Sequence, residues 1–164
     1  MKILVCGLPG SGKTWLSERL VKHIDNCAWY NADFVRKYAN DWDFEPEGRM
    51  RQANRMKAFA DFEKSNGRWV VCDFVAPTQK ARIAFDADFL IWIDTINEGR
   101  VVAAKLDQLN KINNLPFDAN SLSSSKIFDD TTKMFEKPIN ADAHIQRFFS
   151  DEEIKNLAEK IKNV

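Results

Sequence analysis

The chain has 164 residues, of which 45% are apolar and 29% charged, enough apolar surface to exclude disorder as its main state. Lysine plus arginine and aspartate plus glutamate number 24 each, so a formal net charge of zero excludes a basic coat for long nucleic acid. No apolar run approaches the ~20 residues of a membrane span, and no signal-peptide pattern opens the chain, so we expect a cytoplasmic protein without a membrane partner, folded as one domain over 1–164.

Lys2 to Cys6 is a short β-rich apolar run ended by glycine, which predicts a buried strand. Thr14 to Ile24 follows as a helix, with Leu16, Leu20 and Ile24 on one face. Cys27 to Tyr30 reads as a second strand. Glu47 to Lys64 reads as a long helix with Met50, Ala53, Met56 and Ala60 on its apolar face and Gly67 beyond its end. Trp69 to Phe74 predicts a third strand, Thr78 to Phe85 a short helix and Phe89 to Ile93 a fourth strand. Ile96 to Leu109 has a helical pattern, and Asn110 to Ser125 is an Asn/Ser-rich stretch that reads as a surface loop or a lid. Ser150 and Glu153 form a capping box that opens a helix to Lys162, with Ile154, Leu157, Ala158 and Ile161 on its apolar face. Apolar strands alternating with helices predict an α/β fold, a parallel sheet flanked by helices on both faces.

Gly7-Leu8-Pro9-Gly10-Ser11-Gly12-Lys13-Thr14 matches G-x-x-x-x-G-K-[ST] between a predicted strand and a predicted helix. Glycine lets the loop's N–H groups curl around phosphate oxygens, and the helix N-terminus adds partial positive charge. In this pattern Lys13 reaches the β- and γ-phosphates and the Thr14 hydroxyl takes Mg²⁺, so ATP and Mg²⁺ are the expected cofactors. The short chain and the absence of an Asn-Lys-x-Asp guanine reader leave a small-molecule kinase as the leading class.

Asn31-Ala32-Asp33-Phe34-Val35-Arg36 follows the second strand, at the end where open α/β sheets bind ligands. Asp33 there suits a proton acceptor for an attacking hydroxyl, and it also suits a helix N-cap. Arg36 suits an acidic group on the acceptor or a solvated helix face. Arg49, Gln52 and Arg55 lie roughly on one side of the long helix and could grip an anion. Cys72-Asp73 ends an apolar strand in the manner of a Walker B element, which makes Asp73 a second candidate near Mg²⁺. Val75-Ala76-Pro77 then turns the chain, and Arg82 follows. Trp42 and Phe44 lie in a loop where an aromatic ligand could stack, whereas Trp15, Trp69 and Trp92 read as core. Cys6, Cys27 and Cys72 lie too far apart for a zinc site and read as reduced core residues. His23 and His144 have no metal-ligand company in the sequence.

Together these motifs resemble the adenylylsulfate kinase (APS kinase) family of P-loop kinases over about 1–145. That family pairs its phosphate loop with Asp-Gly-Asp-Asn-x-Arg, which stands here as Asn31 to Arg36. Phe44, Arg49, Gln52 and Arg55 keep the spacing of the family's aromatic and its Arg-x-x-Asn-x-x-Arg run. Val75-Ala76-Pro77 and Arg82 resemble its Ile-Ser-Pro turn and later arginine. Lys126-Ile127-Phe128 and Phe135-Glu136-Lys137-Pro138 keep the offset of its final motifs. The resemblance implies transfer of the ATP γ-phosphate to the 3′-hydroxyl of adenylylsulfate, a small-molecule nucleotide. Lys13 and Asp33 would be catalytic, and Asp73 joins them as a catalytic candidate from its strand-end position rather than from the family. Phe44 and Phe128 would stack the adenine, with Arg36, Arg49, Gln52, Val75, Ala76 and Lys126 around the acceptor. A lid over about 105–135 and a homodimer are further expectations from the family. The sequence departs from it at Asn31, Gln52, Ala76, Asp129 and Asp130. Asp73 offers a carboxylate in place of the one that Asn31 lacks. These departures leave open a different alcohol as acceptor, such as a nucleoside or modified nucleotide, or a nucleotide-binding protein without turnover.

Overall fold

In the first strand, β1 (Lys2–Gly7), every residue is buried, which requires cover on both faces of the sheet. The computed structural model describes residues 1–96 and 129–164. After β1 come α1 (Lys13–Leu20), β2 (Cys27–Asn31), α2 (Ala32–Ala39), α3 (Pro46–Ser65), β3 (Trp69–Asp73), α4 (Gln79–Phe85), β4 (Phe89–Ile93), β5 (Ala143–Ile145) and α5 (Asp151–Lys162). The described strands form a sheet in the order β2-β3-β1-β4-β5 with parallel pairing throughout. Leu4 stands opposite Cys72 on one side and Leu90 on the other.

The alternation along β1 divides the core. Ile3 and Val5 pack with Leu16, Leu20, Ile154, Leu157 and Ile161 under α1 and α5. Leu4 and Cys6 pack with Met56, Ala60, Cys72 and Phe85 under α3 and α4. The chain lays β2 and β3 on one side of β1 and then crosses to the other side for β4 and β5, so the carboxyl end of β1 is the switch point where such sheets open a crevice.

Local sequence explains most boundaries. Thr78 caps α4 by accepting from the Ala81 amide, and Pro46 sits in the first turn of α3, where its missing N–H costs nothing. The helix expected over Thr14 to Ile24 ends earlier, at Leu20, and tightens into a 3₁₀ turn over Val21–His23. Of the expected apolar face of α3, Met56 and Ala60 are fully buried and Ala53 is half-buried, but Met50 is not part of it. Met50 is 51% exposed, and the buried line runs Gly48, Gln52, Met56, Ala60 and Glu63. Polar members are accepted there because they are bonded: Gln52 donates to the Ala32 carbonyl, and Glu63 accepts from Tyr30 and Arg68. Trp92 is buried as expected, while Trp15 and Trp69 pack against the core from its margin. The cysteines are free, and burial pushes the Cys6 and Cys27 thiols up to about 11. The helix expected over Ile96 to Leu109, the Asn110 to Ser125 stretch and most of the lid fall outside the described residues. No helix among the described residues is long and apolar enough to cross a membrane.

The capping box of α5 is present in full. Hydrogen bonds from Arg147 and the Ser150 amide hold the Glu153 carboxyl down to about 2, below its ordinary 4.5. A lowered carboxylate pKa adds stability that is complete above the unfolded value and disappears as pH falls through the folded one. Glu153→Gln should therefore flatten the acid-unfolding curve between about pH 4.5 and pH 2, read by circular dichroism, and leave neutral-pH folding intact.

Candidate active site

The loop after β1 is shaped by glycines that no other residue could replace without strain. Gly7, Gly10 and Gly12 have φ of 151°, 82° and 98°. A side chain on Gly7 would strike the Ile93 carbonyl and approach Ser11 Oγ at 2.9 Å. Gly12 caps α1 with no side-chain hydrogen bond, so the helix N-terminus keeps its amides for the loop interior. Lys13 arches back to donate to the Leu8 carbonyl at 2.9 Å. From the end of β4, Thr95 Oγ1 donates to the Ser11 carbonyl at 2.6 Å and braces the loop. Gly7→Ala should therefore fold less stably and lose nucleotide-dependent stabilisation. For an intact loop that rise is about 2.7 kcal/mol at 100-fold Kd, read by thermal melting with ATP.

A polar corner adjoins the loop. Asp73, at the end of β3 and 2% exposed, accepts from Thr14 Oγ1 at 2.9 Å and from Asn31 Nδ2 at 2.9 Å through Oδ2. Its Oδ1 accepts from the Trp29 indole at 2.8 Å. Asn31 Nδ2 also lies 3.0 Å from Thr14 Oγ1. Burial pushes the Asp73 carboxyl above the usual carboxylate range, against the pull of these three donors and of Lys13. The parallel register sets Asn31 beside Asp73, which is why β2 and β3 deliver their ends to one corner. The residues present fit Mg²⁺. Thr14 and Asp73 offer hard oxygen donors beside a phosphate loop, and no cluster of three or more His, Cys, Asp or Glu occurs among the described residues. Mg²⁺ takes few protein ligands and completes its shell with phosphate and water.

The residues expected around an acceptor lie on α2, α3 and the loop between them. Asp33 lies in the first turn of α2, but the N-cap is Asn31, whose Oδ1 accepts from the amides of Asp33 and Phe34 at 3.0 and 3.1 Å. The capping alternative read for Asp33 thus belongs to Asn31. Arg36 is 5% exposed and donates to the carbonyls of Asp41 and Asp43 at 3.0 and 2.9 Å. Its guanidinium carbon lies 4.4 Å from the Phe44 ring centre. Burial lowers the Arg36 pKa, which Asp41 and Asp33 partly offset. Arg49 donates to the Phe44 carbonyl at 2.6 Å and to Thr131 Oγ1 at 2.9 Å. Gln52 accepts from Arg55, which also donates to Asp41. Ala76, in the turn after Val75, has φ of 43°, and Arg82 bonds its carbonyl at 2.7 Å.

The structure therefore gathers Arg36, Phe44, Arg49 and Gln52 on one side and Lys13, Thr14, Asn31 and Asp73 on the other, with Asp33 in the first turn of α2, two residues past Asn31. Lys126 and Phe128 fall outside the described residues. Sequence reasoning missed Trp29, Thr95 and Asp41. Position along β2 is the one signal that could have brought Trp29 to the corner. His144 stands apart, stacked on Trp92 at 4.0 Å and 2.8 Å from Asp94.

A parallel sheet flanked by helices, with a phosphate loop at the carboxyl end of its central strand, is the P-loop kinase fold. The chain belongs to the AAA domain family, whose model matches residues 3–113. It is 32% identical over 85 residues to a probable adenylyl-sulfate kinase of Aeropyrum pernix, a match spanning 49% of this chain and 46% of that relative, or about half of the relative's length. Its structure is similar to the crystal structure of APE1195, with a TM-score of 0.74, 23% identity, and coverage of 100% of this chain and 96% of that one. It is also similar to the APS kinase CysC of Mycobacterium tuberculosis in complex with AMPPNP and APS. That TM-score is 0.64 at 17% identity, with 99% of this chain and 94% of that one covered. The resemblance read from the motifs is thus met by a curated relative in sequence and by an APS kinase in fold.

Proposed function

We propose that the protein transfers the γ-phosphate of ATP to the 3′-hydroxyl of adenylylsulfate. The observation that carries this reading is the tie between the two sides of the site. Asn31 bonds Thr14 of the phosphate loop with one end of its amide and the amides of Asp33 and Phe34 with the other. The backbone of Asp33 is tied through Asn31 to the phosphate loop, which supports Asp33 as the base for in-line transfer.

In this reading the loop amides, the α1 N-terminus and Lys13 bind and orient the ATP phosphates. Asp33 accepts the proton of the acceptor hydroxyl as its oxygen bonds to the γ-phosphorus. The bond from that phosphorus to the bridging oxygen breaks, and ADP leaves. Thr14 and Asp73 would hold Mg²⁺, which when bound neutralises phosphate charge. Phe44 supplies an aromatic wall for the adenine beside Arg36 and Arg49.

A second reading, another hydroxyl acceptor carrying a planar base, such as a nucleoside, is favoured by one observation. A groove of about 680 Å³ is lined by Asn31 together with Trp29, Tyr30, Phe34, Tyr38 and Phe59. A panel separates the two. Purified protein with ATP and Mg²⁺ is offered adenylylsulfate, nucleosides and nucleotides, and ADP release is measured. The first reading expects adenylylsulfate to give the highest kcat/KM. A nucleoside in that place supports the second.

A further inference from the structure

The orientation of the Asn31 amide is fixed by its partners. Its oxygen takes two backbone amides of α2, so its nitrogen must face Thr14 and Asp73. That nitrogen fills a position where an acceptor would fail, because the atom opposite it is a carboxylate oxygen at 2.9 Å. An aspartate at position 31 would cap α2 equally well, since Asp and Asn are comparable N-caps. It would, however, set two carboxylates face to face in a corner where Asn31 is 7% and Asp73 2% exposed. Two carboxylate oxygens at that range have no hydrogen to share, so the donor that now holds Asp73 Oδ2 would be lost.

We propose that Asn31 is a positioning residue for the metal-binding corner. It holds the Asp73 carboxylate and the Thr14 hydroxyl in place as one end of a matched amide–carboxylate pair. The facing ends of β2 and β3 need one carboxylate and one amide, and in this chain the charge is on β3. This inference rests on the Mg²⁺–nucleotide half of the proposed function and is independent of the acceptor.

The pair is tested by exchange. Asn31→Asp, Asp73→Asn and the double exchange Asn31→Asp/Asp73→Asn are melted with ADP over a series of Mg²⁺ concentrations. The readout is the Mg²⁺ concentration that gives half of the ADP-dependent rise in melting midpoint. Each single change should raise that concentration roughly 10- to 100-fold, the usual scale for losing a residue that supports a metal ligand. The double exchange should return it to within about 3-fold of wild type, the non-additivity of a directly bonded pair. Should Asn31→Asp fail to fold, Asn31→Ser still caps α2 but cannot reach Thr14 and Asp73 together, and it should show the same rise.

Three results would overturn the proposal: an unchanged Mg²⁺ midpoint in Asn31→Asp, an unchanged one in Asn31→Ser with only a lowered melting temperature, or simple additivity in the double exchange. The first two would leave Asn31 as a helix cap alone. Because no acceptor is present, failure here is separable from failure of adenylylsulfate in the substrate panel.

Discussion

Lys13→Ala is expected to reduce phosphoryl transfer roughly 10²–10³-fold or more, the scale on which removal of one preorganised donor to a developing charge is felt. The fold should survive. Lys13 belongs to neither core cluster, although it is 8% exposed. Its hydrogen bond to the Leu8 carbonyl holds the ammonium across the loop, where phosphate oxygens would compete for it. Turnover with a saturating acceptor, together with a melting curve, checks both halves. Full activity in a folded Lys13→Ala protein would remove the kinase reading.

Asp33→Asn should lower kcat by roughly 10²–10⁴, the range for loss of a general base, while the KM for ATP stays within about 2-fold. This asymmetry follows from its position in the first turn of α2, past the residue that touches Thr14. The cap of α2 is unaffected, because Asn31 provides it. Steady-state kinetics in both substrates distinguish the roles. A weakened ATP KM with kcat retained would put Asp33 on the phosphate side instead.

Much of this arrangement is legible in the chain because local chemistry dictates it. The glycines of the phosphate loop, the Ser150–Glu153 box and the all-apolar strands each carry their structure within a few residues. What is not legible depends on which distant residue stands opposite. The sequence brings Asp73 to the same end of the sheet as Asn31, but nothing in either residue says that they stand at the same level, directly opposite one another. The long helix shows the same limit. Apolar spacing favours the Met50 side, but Gln52 and Glu63 find partners in α2, β2 and the turn before β3, and bonded polar groups take the buried face. The arginines expected to face a ligand's anion are held by carbonyls and carboxylates of the α2–α3 loop, a competition that spacing along one helix cannot reveal. The expected core tryptophan of β4 holds its place and also carries His144, a stacking set by the register between β4 and β5.

The most direct test follows the phosphoryl group itself. Protein is mixed with ATP labelled at the γ-phosphate, Mg²⁺ and adenylylsulfate, and the products are separated. The account predicts label on the 3′-position of adenylylsulfate in step with ADP, with neither formed by Lys13→Ala. ADP accompanied only by free labelled phosphate, or no ADP with any hydroxyl acceptor offered, would contradict it.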